Sequence, residues 1–221
     1  MLKILTTYGG MLMTAMGQTL LLALLSLFFA CILGLIFGLL SVSHSRVNNL
    51  LGTLYVDAIR GWPLIVLAFF VYFSVPSAIQ SMGFKDFRLN ALQAGIIALA
   101  LNCGAYMAEI IRAGIQSVDV GQMEAARSLG LSYGKSMRKV VLPQAIRTMI
   151  PSIINQFIIT LKDTSILSVI GFPELTNATK TVAANTMNMQ IWLVAGLMYM
   201  VVIIALSKFA HYVERRVNRG R

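Results

Sequence analysis

The stretch DVGQMEAARSLGLSYGKSMRKVVLP, residues 119–143, is a polar segment between two long apolar parts of the chain. It is too long for a simple turn and too regularly patterned for a loose linker. Asp119 is suited to the N-cap of a helix, and Gln122 three residues later can complete a capping box. Gly130 suits the left-handed position that ends a helix. The first half of the segment therefore predicts one short helix with defined ends.

The second half of the segment predicts another short helix. Ser132 can act as its N-cap, the helix runs through Lys135 to Val141, and Pro143 marks its end because proline has no N–H to donate. Such a pair can be a surface hairpin that only connects two membrane spans. It can also contain a docking helix on which a partner protein pushes.

The composition is that of an integral membrane protein. The chain has 221 residues, of which 57% are hydrophobic and only 12% are charged, whereas soluble domains carry about 25% charged residues. We therefore expect one membrane domain over residues 1–221, without an ATPase or ligand-capture domain of its own. The net charge of +10 belongs to bases beside apolar runs, so membrane topology explains it better than a nucleic-acid partner.

Histidine and cysteine offer no chemical site. Cys31 and Cys103 lie in different apolar runs, and His44 and His211 are isolated at the ends of apolar runs. The sequence therefore predicts no metal, no disulfide framework and no catalytic nucleophile. A membrane enzyme would need a cluster of such residues on one face.

The apolar runs predict an all-α membrane protein with five transmembrane helices. We place them at residues 18–42, 57–79, 90–111, 148–171 and 190–209, because a span needs about 20 apolar residues. The first uncharged run starts at Ile4 and is too long for one span. Glycines at 9, 10 and 17 interrupt it, so residues 4–16 are expected to form a separate helix along the membrane surface. Gly34 and Gly38 predict close packing against another helix.

Basic residues predict the orientation of the spans. Segments 43–60, 112–147 and 208–221 hold thirteen of them: Arg46, Arg60, Arg112, Arg127, Lys135, Arg138, Lys139, Arg147, Lys208, Arg215, Arg216, Arg219 and Arg221. The N-terminus and segments 76–90 and 172–189 hold only Lys3, Lys85, Arg88 and Lys180. Loops rich in Lys and Arg remain in the cytoplasm. We expect the N-terminus outside, with the C-terminus and residues 119–143 in the cytoplasm.

Charged residues within a span are candidates for function, because each costs about 2.5–3.5 kcal/mol to insert. Lys162 and Asp163 lie in span four, and adjacent helical residues point about 100° apart, so they do not simply pair with each other. They can line a path, or they can form a buried structural pair that bridges to another span, for example to Glu109. Asn102 and Tyr106 share one face of span three.

A resemblance to a known family rests on a spaced motif. Glu124-Ala125-Ala126, Gly130, Val140, Leu142 and Pro143 resemble the pattern E-A-A-x3-G-x9-I-x-L-P, with Val140 in place of isoleucine. This is the coupling-loop motif of permease subunits of bacterial ABC importers. RGWPL at 60–64, LNCGAYMAEIIRAGIQSVDVGQ at 101–122 and LKDTSILSVIGFPELT at 161–176 are similar to the polar amino-acid permeases of that family, the histidine, glutamine and arginine group with the type I fold.

This resemblance implies a transport subunit in the bacterial cell membrane rather than an enzyme. It implies a second permease chain, identical or related, and a cytoplasmic ABC ATPase dimer that binds ATP and Mg, so this chain needs no cofactor. It also implies an external substrate-binding protein that delivers an amino acid. Import would proceed by alternating access, driven by ATP.

The resemblance also implies roles for individual residues. Residues 112–147 become the coupling loop, and its expected ATPase contacts are Gly121, Glu124, Ala125, Ala126, Gly130, Leu142 and Pro143. The expected substrate path comprises Trp62, Asn102, Tyr106, Lys162, Asp163, Thr164 and Ser165. Asp163 would hold the substrate ammonium, while Asn102, Tyr106 or Thr164 would hydrogen-bond the rest.

Two departures from the related permeases concern the residues expected to contact the substrate. Trp62 stands where threonine is usual, and Leu67 falls where a glutamine tends to lie. If both line the path, the path is less polar than usual. Glutamine is the first expectation, with arginine or histidine, cystine and glutamate as alternatives. A channel or ion-coupled carrier without an ATPase is the other class, although such carriers usually contain internal repeats.

Overall fold

The structure is a computed structural model that describes residues 2–218, with the side chains of residues 6–212 and Arg215. Arg219 and Arg221 of the predicted cytoplasmic group lie outside the described residues, as do the side chains of Lys3 and Arg216.

Helices make up almost all of residues 2–218, and this part of the chain contains no β-strand. The α-helices are α1 (Leu2–Ser41), α2 (Arg46–Arg60), α3 (Leu64–Phe69), α4 (Val75–Ser81), α5 (Ala91–Gln116), α6 (Val120–Ser128), α7 (Tyr133–Ser136), α8 (Leu142–Asp163), α9 (Leu175–Thr186) and α10 (Ile191–Asn218). Two π-helical turns (Phe70–Ser74 and Met137–Val141) and a 3-10 helix (Thr164–Ile170) join some of them into longer runs.

Five helical runs are long and apolar enough to cross a membrane, which confirms the predicted fold class. They are Thr6–Ser41, Leu64–Ser81, Ala91–Gln116, Tyr133–Ile170 and Ile191–Tyr212. The last three contain nearly all of the spans predicted there and extend beyond them. The first two differ from the prediction for physical reasons.

The prediction of a separate surface helix over residues 4–16 is wrong, because α1 is one continuous helix. A glycine within a helix costs only about 1 kcal/mol relative to alanine. Packing outweighs this cost, since Leu12 and Met16 are buried in a core cluster with residues of α9 and α10 such as Val182 and Ile191.

The predicted second span, 57–79, is not one helix but is interrupted between residues 60 and 64. The helix α2 ends at Arg60, and a new helix starts only at Leu64, after Pro63. Proline disfavours helical geometry at the residue before it, so Trp62 falls between two helices. The transmembrane run therefore begins at Leu64, and residues 57–60 belong to a different helix.

The helix α2 turns back along the end of α1. The ring of Tyr55 stacks on Phe37 with 3.9 Å between centroids, and its hydroxyl donates a 2.8 Å hydrogen bond to the carbonyl of Leu101. The side-chain amide of Asn49 donates to the carbonyl of Ser41. These contacts hold α2 against α1 and α5, so that its last residue, Arg60, lies beside α5 while its side chain stays exposed.

The prediction that Pro143 ends a helix is also wrong. The chain continues from α7 through the π-helical turn Met137–Val141 into α8, with Pro143 in the first turn of α8. A π-turn shifts the hydrogen-bond register, which lets the helix continue past a residue that has no N–H. Pro76 likewise follows the π-turn Phe70–Ser74.

The close packing predicted at Gly34 and Gly38 is confirmed, and the partner is α5. A Cβ atom at Gly34 would lie 2.5 Å from Cβ of Met107, and one at Gly38 would lie 2.9 Å from Cβ of Ile111. Only glycine permits this approach of the two backbones. The contact between α1 and α5 is the most extensive in the fold, so α5 forms the centre of the bundle.

The coupling loop packs at the end of the bundle where α1 and α5 end. Met123 of α6 joins a core cluster with Ile115 of α5, Val141, Met149 of α8 and Val42. The start of α1 lies at the opposite end, beside α9 and the start of α10. The two ends of α1 therefore mark the two faces of the membrane domain.

Candidate functional site

The helix α6 starts with a side-chain cap. Oδ1 of Asp119 accepts a 2.7 Å hydrogen bond from the backbone N–H of Gly121. The capping box expected with Gln122 is not formed. Instead, Oε1 of Gln122 accepts a 3.2 Å hydrogen bond from Nε2 of Gln144, because α8 starts beside α6.

The end of α6 has the glycine turn that the sequence predicts. Gly130 has a φ of +85°, in the left-handed region. The N–H of Leu131 donates to the carbonyl of Ala126 at 3.2 Å, and the N–H of Gly130 donates to that of Arg127 at 2.9 Å. This pair of bonds is a Schellman motif, which explains why the position favours glycine. Ser132 occupies the predicted N-cap position of α7, but its side chain makes no capping bond.

One face of α6 packs on the bundle and the other is uncovered. Ala126 is buried, whereas Glu124 and Ala125 are exposed. Val120 and Leu129 are 70% and 85% exposed, so this face of α6 also carries apolar side chains. The remaining expected ATPase contacts, Gly121, Leu142 and Pro143, lie at the start of α6 and in the first turn of α8.

A cavity of about 530 Å³ lies where α2, α3, α5 and α8 meet, and we call it the central cavity. It is lined by Arg60, Gly61, Trp62, Pro63, Leu64, Asn102, Tyr106, Gln156, Ile159 and Asp163. Four of the expected path residues therefore meet in one space: Trp62, Asn102, Tyr106 and Asp163. Asn102 and Gln156 are largely buried and bring amide groups to its wall.

The other three expected path residues do not line the central cavity. Lys162 is exposed elsewhere on α8. The hydroxyl of Thr164 is buried and donates to the carbonyl of Leu161 at 2.7 Å, and that of Ser165 donates to the carbonyl of Lys162 at 2.7 Å. Leu67 also lies away from the cavity, in a buried apolar cluster, so of the two sequence departures only Trp62 changes the cavity wall.

Glu109 does not bridge to Lys162 or Asp163, so the expectation that it is their partner is wrong. Its carboxylate accepts hydrogen bonds from Nε and Nη2 of Arg112 at 2.9 and 2.5 Å. Its Oε2 also lies 3.7 Å from Nη1 of Arg60.

Arg60 is a cavity residue that sequence reasoning missed. Charge counting assigns it to a cytoplasmic segment, whereas the packing of α2 along α1 and α5 brings it to the cavity wall. Its Cζ lies 5.1 Å from the ring centroid of Tyr106, in cation–π geometry. The helix break at Gly61 to Pro63 was the available indication, since a charge beside a broken helix within a membrane often marks a site.

A second space, the polar cleft, lies between the central cavity and the coupling-loop end. It measures about 380 Å³ and is lined by Ser41, Asn49, Thr53, Val56, Asp57, Arg60, Glu109, Arg112 and Gln116. Arg60 lines both spaces.

Sequence reasoning also missed a buried acid between spans four and five. Glu174 has no exposed surface and caps α9, accepting hydrogen bonds from the N–H groups of Thr176 and Asn177 at 2.7 and 2.6 Å. Burial raises the pKa of Glu174, while these hydrogen bonds oppose that shift. The indication in the sequence was an acid just before a helix, where it interacts favourably with the helix dipole.

Comparisons with known proteins agree with this architecture. Residues 30–219 match the family described as binding-protein-dependent transport system inner membrane component. The chain is 37% identical over 212 residues to a probable glutamine ABC transporter permease protein, GlnM, of Bacillus subtilis (strain 168), covering 96% of this chain and 95% of the relative. It is 36% identical over 201 residues to the arginine transport system permease protein ArtQ of the same organism, covering 90% and 89%.

A solved structure has the same fold. The crystal structure of an amino acid ABC transporter with histidines contains a chain that matches with a TM-score of 0.87 at 36% identity, covering 96% of both chains. The family match and the relatives confirm a permease subunit of the cell membrane, not a catalytic protein. The chain therefore belongs to the family of binding-protein-dependent transport system inner membrane components.

Proposed function

We propose that this permease moves polar amino acids inward and that the central cavity holds the amino acid during transport. The observation that carries the proposal is that an acid and a base, Asp163 and Arg60, both line this cavity. An amino acid carries an ammonium and a carboxylate, and each needs a charged or hydrogen-bonding partner when it leaves water. Asp163 holds the ammonium and Arg60 holds the carboxylate.

L-Glutamine is the first candidate substrate. The amide groups of Asn102 and Gln156 and the phenol of Tyr106 can hydrogen-bond the side-chain amide of glutamine. Trp62 offers an apolar surface for its methylene groups. The relatives named for glutamine and arginine transport support this class. Arginine, histidine, cystine and glutamate are the alternatives.

The coupling loop carries the energy input. The exposed face of α6, with Glu124 flanked by Val120 and Leu129, is the docking surface for a cytoplasmic ABC ATPase that binds ATP and Mg²⁺. Glu124 pairs with a basic residue of that subunit, and the rigid turn at Gly130 presents the helix. Movement of α6 reaches α5 and α8 through the core cluster around Met123.

Assembly and orientation follow from the same function. Two permease chains, identical or related, face each other, each with an ATPase beneath its coupling loop and a binding protein outside. The N-terminus lies outside and the C-terminus in the cytoplasm, as the distribution of Lys and Arg predicts. ATP-driven changes in contact between the docked states produce alternating access.

Uptake by proteoliposomes tests this function. The chain is reconstituted with its ATPase and binding protein, and accumulation of labelled L-glutamine, L-arginine, L-histidine, L-cystine and L-glutamate is measured with and without internal ATP. We expect saturable uptake of one of them that requires ATP. Undiminished uptake without ATP would favour an ion-coupled carrier, and no uptake of any amino acid would contradict the proposed substrate class.

The variant Glu124→Ala tests the docking surface in the same assay. Uptake should fall while membrane insertion remains normal, because only the ATPase contact is lost. Asp86→Ala is a matched control, since Asp86 is another exposed acid on a loop of the opposite face. Equal uptake by the two variants would contradict the role of Glu124.

A further inference from the structure

We propose that the contact between Arg60 and Glu109 closes the central cavity toward the polar cleft, and that Glu109 competes with the substrate carboxylate for Arg60. This inference rests on the proposed function, because it requires an amino acid in the central cavity. It adds a release route through the polar cleft and a positioning residue, Glu109, that acts on substrate through Arg60.

The first support is the position of Arg60 between two spaces. It contributes to the wall of the central cavity and to that of the polar cleft. The cleft extends from there to Ser41, Asn49 and Gln116, at the ends of α1 and α5 and the start of α2. That is the coupling-loop end of the bundle, so a solute that passes Arg60 has a polar route to that face.

The second support is the uneven pairing of Glu109. Arg112 holds its carboxylate with two hydrogen bonds and is itself fixed by a 2.7 Å bond from Nη1 to Oε1 of Gln116. Arg60 makes a single, longer contact of 3.7 Å with Glu109. This is the only ion pair of Arg60 among the described residues. Since a guanidinium has five N–H donors, Arg60 keeps donors for a second carboxylate.

The third support is the connection of Glu109 to the coupling loop. Its neighbours Ile110 and Ile111 pack in the core cluster that includes Met123 of α6 and Val141. A displacement of α6 by the ATPase therefore acts on the turn of α5 that carries Glu109. The strength of the Arg60 contact can thus differ between the two transport states.

Competition for Arg60 predicts opposite effects at Glu109 and Arg112. Glu109→Gln removes the competing charge, so Arg60 binds the substrate carboxylate more tightly and releases it more slowly. Arg112→Lys keeps the positive charge but cannot form the two parallel hydrogen bonds to Glu109. Glu109 then binds Arg60 more strongly, and substrate binding becomes weaker. A purely structural role would weaken substrate binding in both variants.

The experiment is equilibrium binding of labelled L-glutamine to the purified permease–ATPase complex in detergent, without the binding protein. We expect the dissociation constant to fall about three- to fivefold for Glu109→Gln and to rise about three- to fivefold for Arg112→Lys, the range of a partly exposed ion pair. Asp86→Asn is the control, since it removes an exposed acid from a loop at the opposite end of the bundle, and it should shift the constant less than twofold.

A second readout separates binding from release. In proteoliposomes, Glu109→Gln should lower both the maximal rate of uptake and the KM. An unchanged or raised dissociation constant in Glu109→Gln would overturn the inference while leaving the proposed function intact. If that variant does not assemble, tighter or unchanged binding by Arg112→Lys overturns it. No binding of L-glutamine by the unaltered complex would contradict the glutamine assignment and the inference together.

Discussion

The hydroxyl of Tyr199 donates a 2.8 Å hydrogen bond to Oε2 of Glu174, a carboxyl group with no exposed surface. The bond joins α10 to the start of α9. Next to it, the N–H of Leu175 donates to the hydroxyl of Thr19 on α1 at 3.1 Å. Three helices are therefore tied together at the end of the bundle opposite the coupling loop.

Removing this carboxyl should destabilise the fold. Glu174→Ala leaves the half-buried N–H groups of Thr176 and Asn177 without their acceptor, at a cost of about 1 kcal/mol for each, the low end of the range for a buried group left unpaired. We expect a clearly lower thermal unfolding midpoint in detergent. The exposed acid in Glu124→Ala is the control, and equal midpoints for the two variants would show that the buried network contributes nothing.

The same residue predicts a dependence of stability on pH. Because burial raises the pKa of Glu174, the folded state binds this proton more tightly than the unfolded chain, whose glutamates titrate at about 4.3. The contribution of Glu174 is therefore complete below that pH and is lost as the pH rises through the folded pKa. The thermal unfolding midpoint of the wild type should exceed that of Glu174→Gln by less and less as the pH rises above about 4.3. A difference that rises with pH would contradict the sign of the shift.

The turn after α6 should matter for coupling more than for folding. Gly130 has a φ of +85°, a conformation that costs other residues about 1–3 kcal/mol. Gly130→Ala should change the angle at which α6 meets the ATPase and raise the number of ATP molecules hydrolysed per amino acid imported. Gly134→Ala is the control, because Gly134 lies in α7 with free space around it. The same ratio in both variants would remove Gly130 from the coupling mechanism.

Local patterns made the ends of α6 predictable. Asp119 and Gly130 act within a few residues of themselves, so the sequence around them determines what they do. Gln122 could not be predicted, since its partner Gln144 is 22 residues away. The prediction that Pro143 ends a helix failed for a similar reason. The π-turn that accommodates this proline includes Val141, which packs in the core against residues distant in the sequence.

The central cavity was predictable only in part. Asn102, Tyr106 and Asp163 could be selected because polar residues are rare within spans. Arg60 was missed because it was counted with the basic residues of segment 43–60, and only the return of α2 along α1 brings it beside α5 and the cavity. Counting charges along the chain cannot detect that α2 packs back along α1. The close packing of α1, in contrast, could be predicted from the spacing of Gly34 and Gly38 alone.

Asp163 and its neighbour Lys162 should behave differently. Asp163→Asn removes the charge that holds the substrate ammonium, so uptake of labelled L-glutamine at subsaturating concentration should fall by about tenfold or more, in line with a charged hydrogen bond of about 1.5–3 kcal/mol. Lys162→Gln changes a residue outside the cavity and should have a much smaller effect. Equal losses in the two variants would mean that the cavity does not bind the ammonium through Asp163.

A structure of the permease–ATPase complex with saturating L-glutamine tests whether the central cavity is the substrate site. We expect one amino acid in the central cavity, with its ammonium about 3 Å from the carboxylate of Asp163 and its carboxylate at the guanidinium of Arg60. An amino acid bound elsewhere in the permease, or one in the cavity that contacts neither charge, would contradict this expectation.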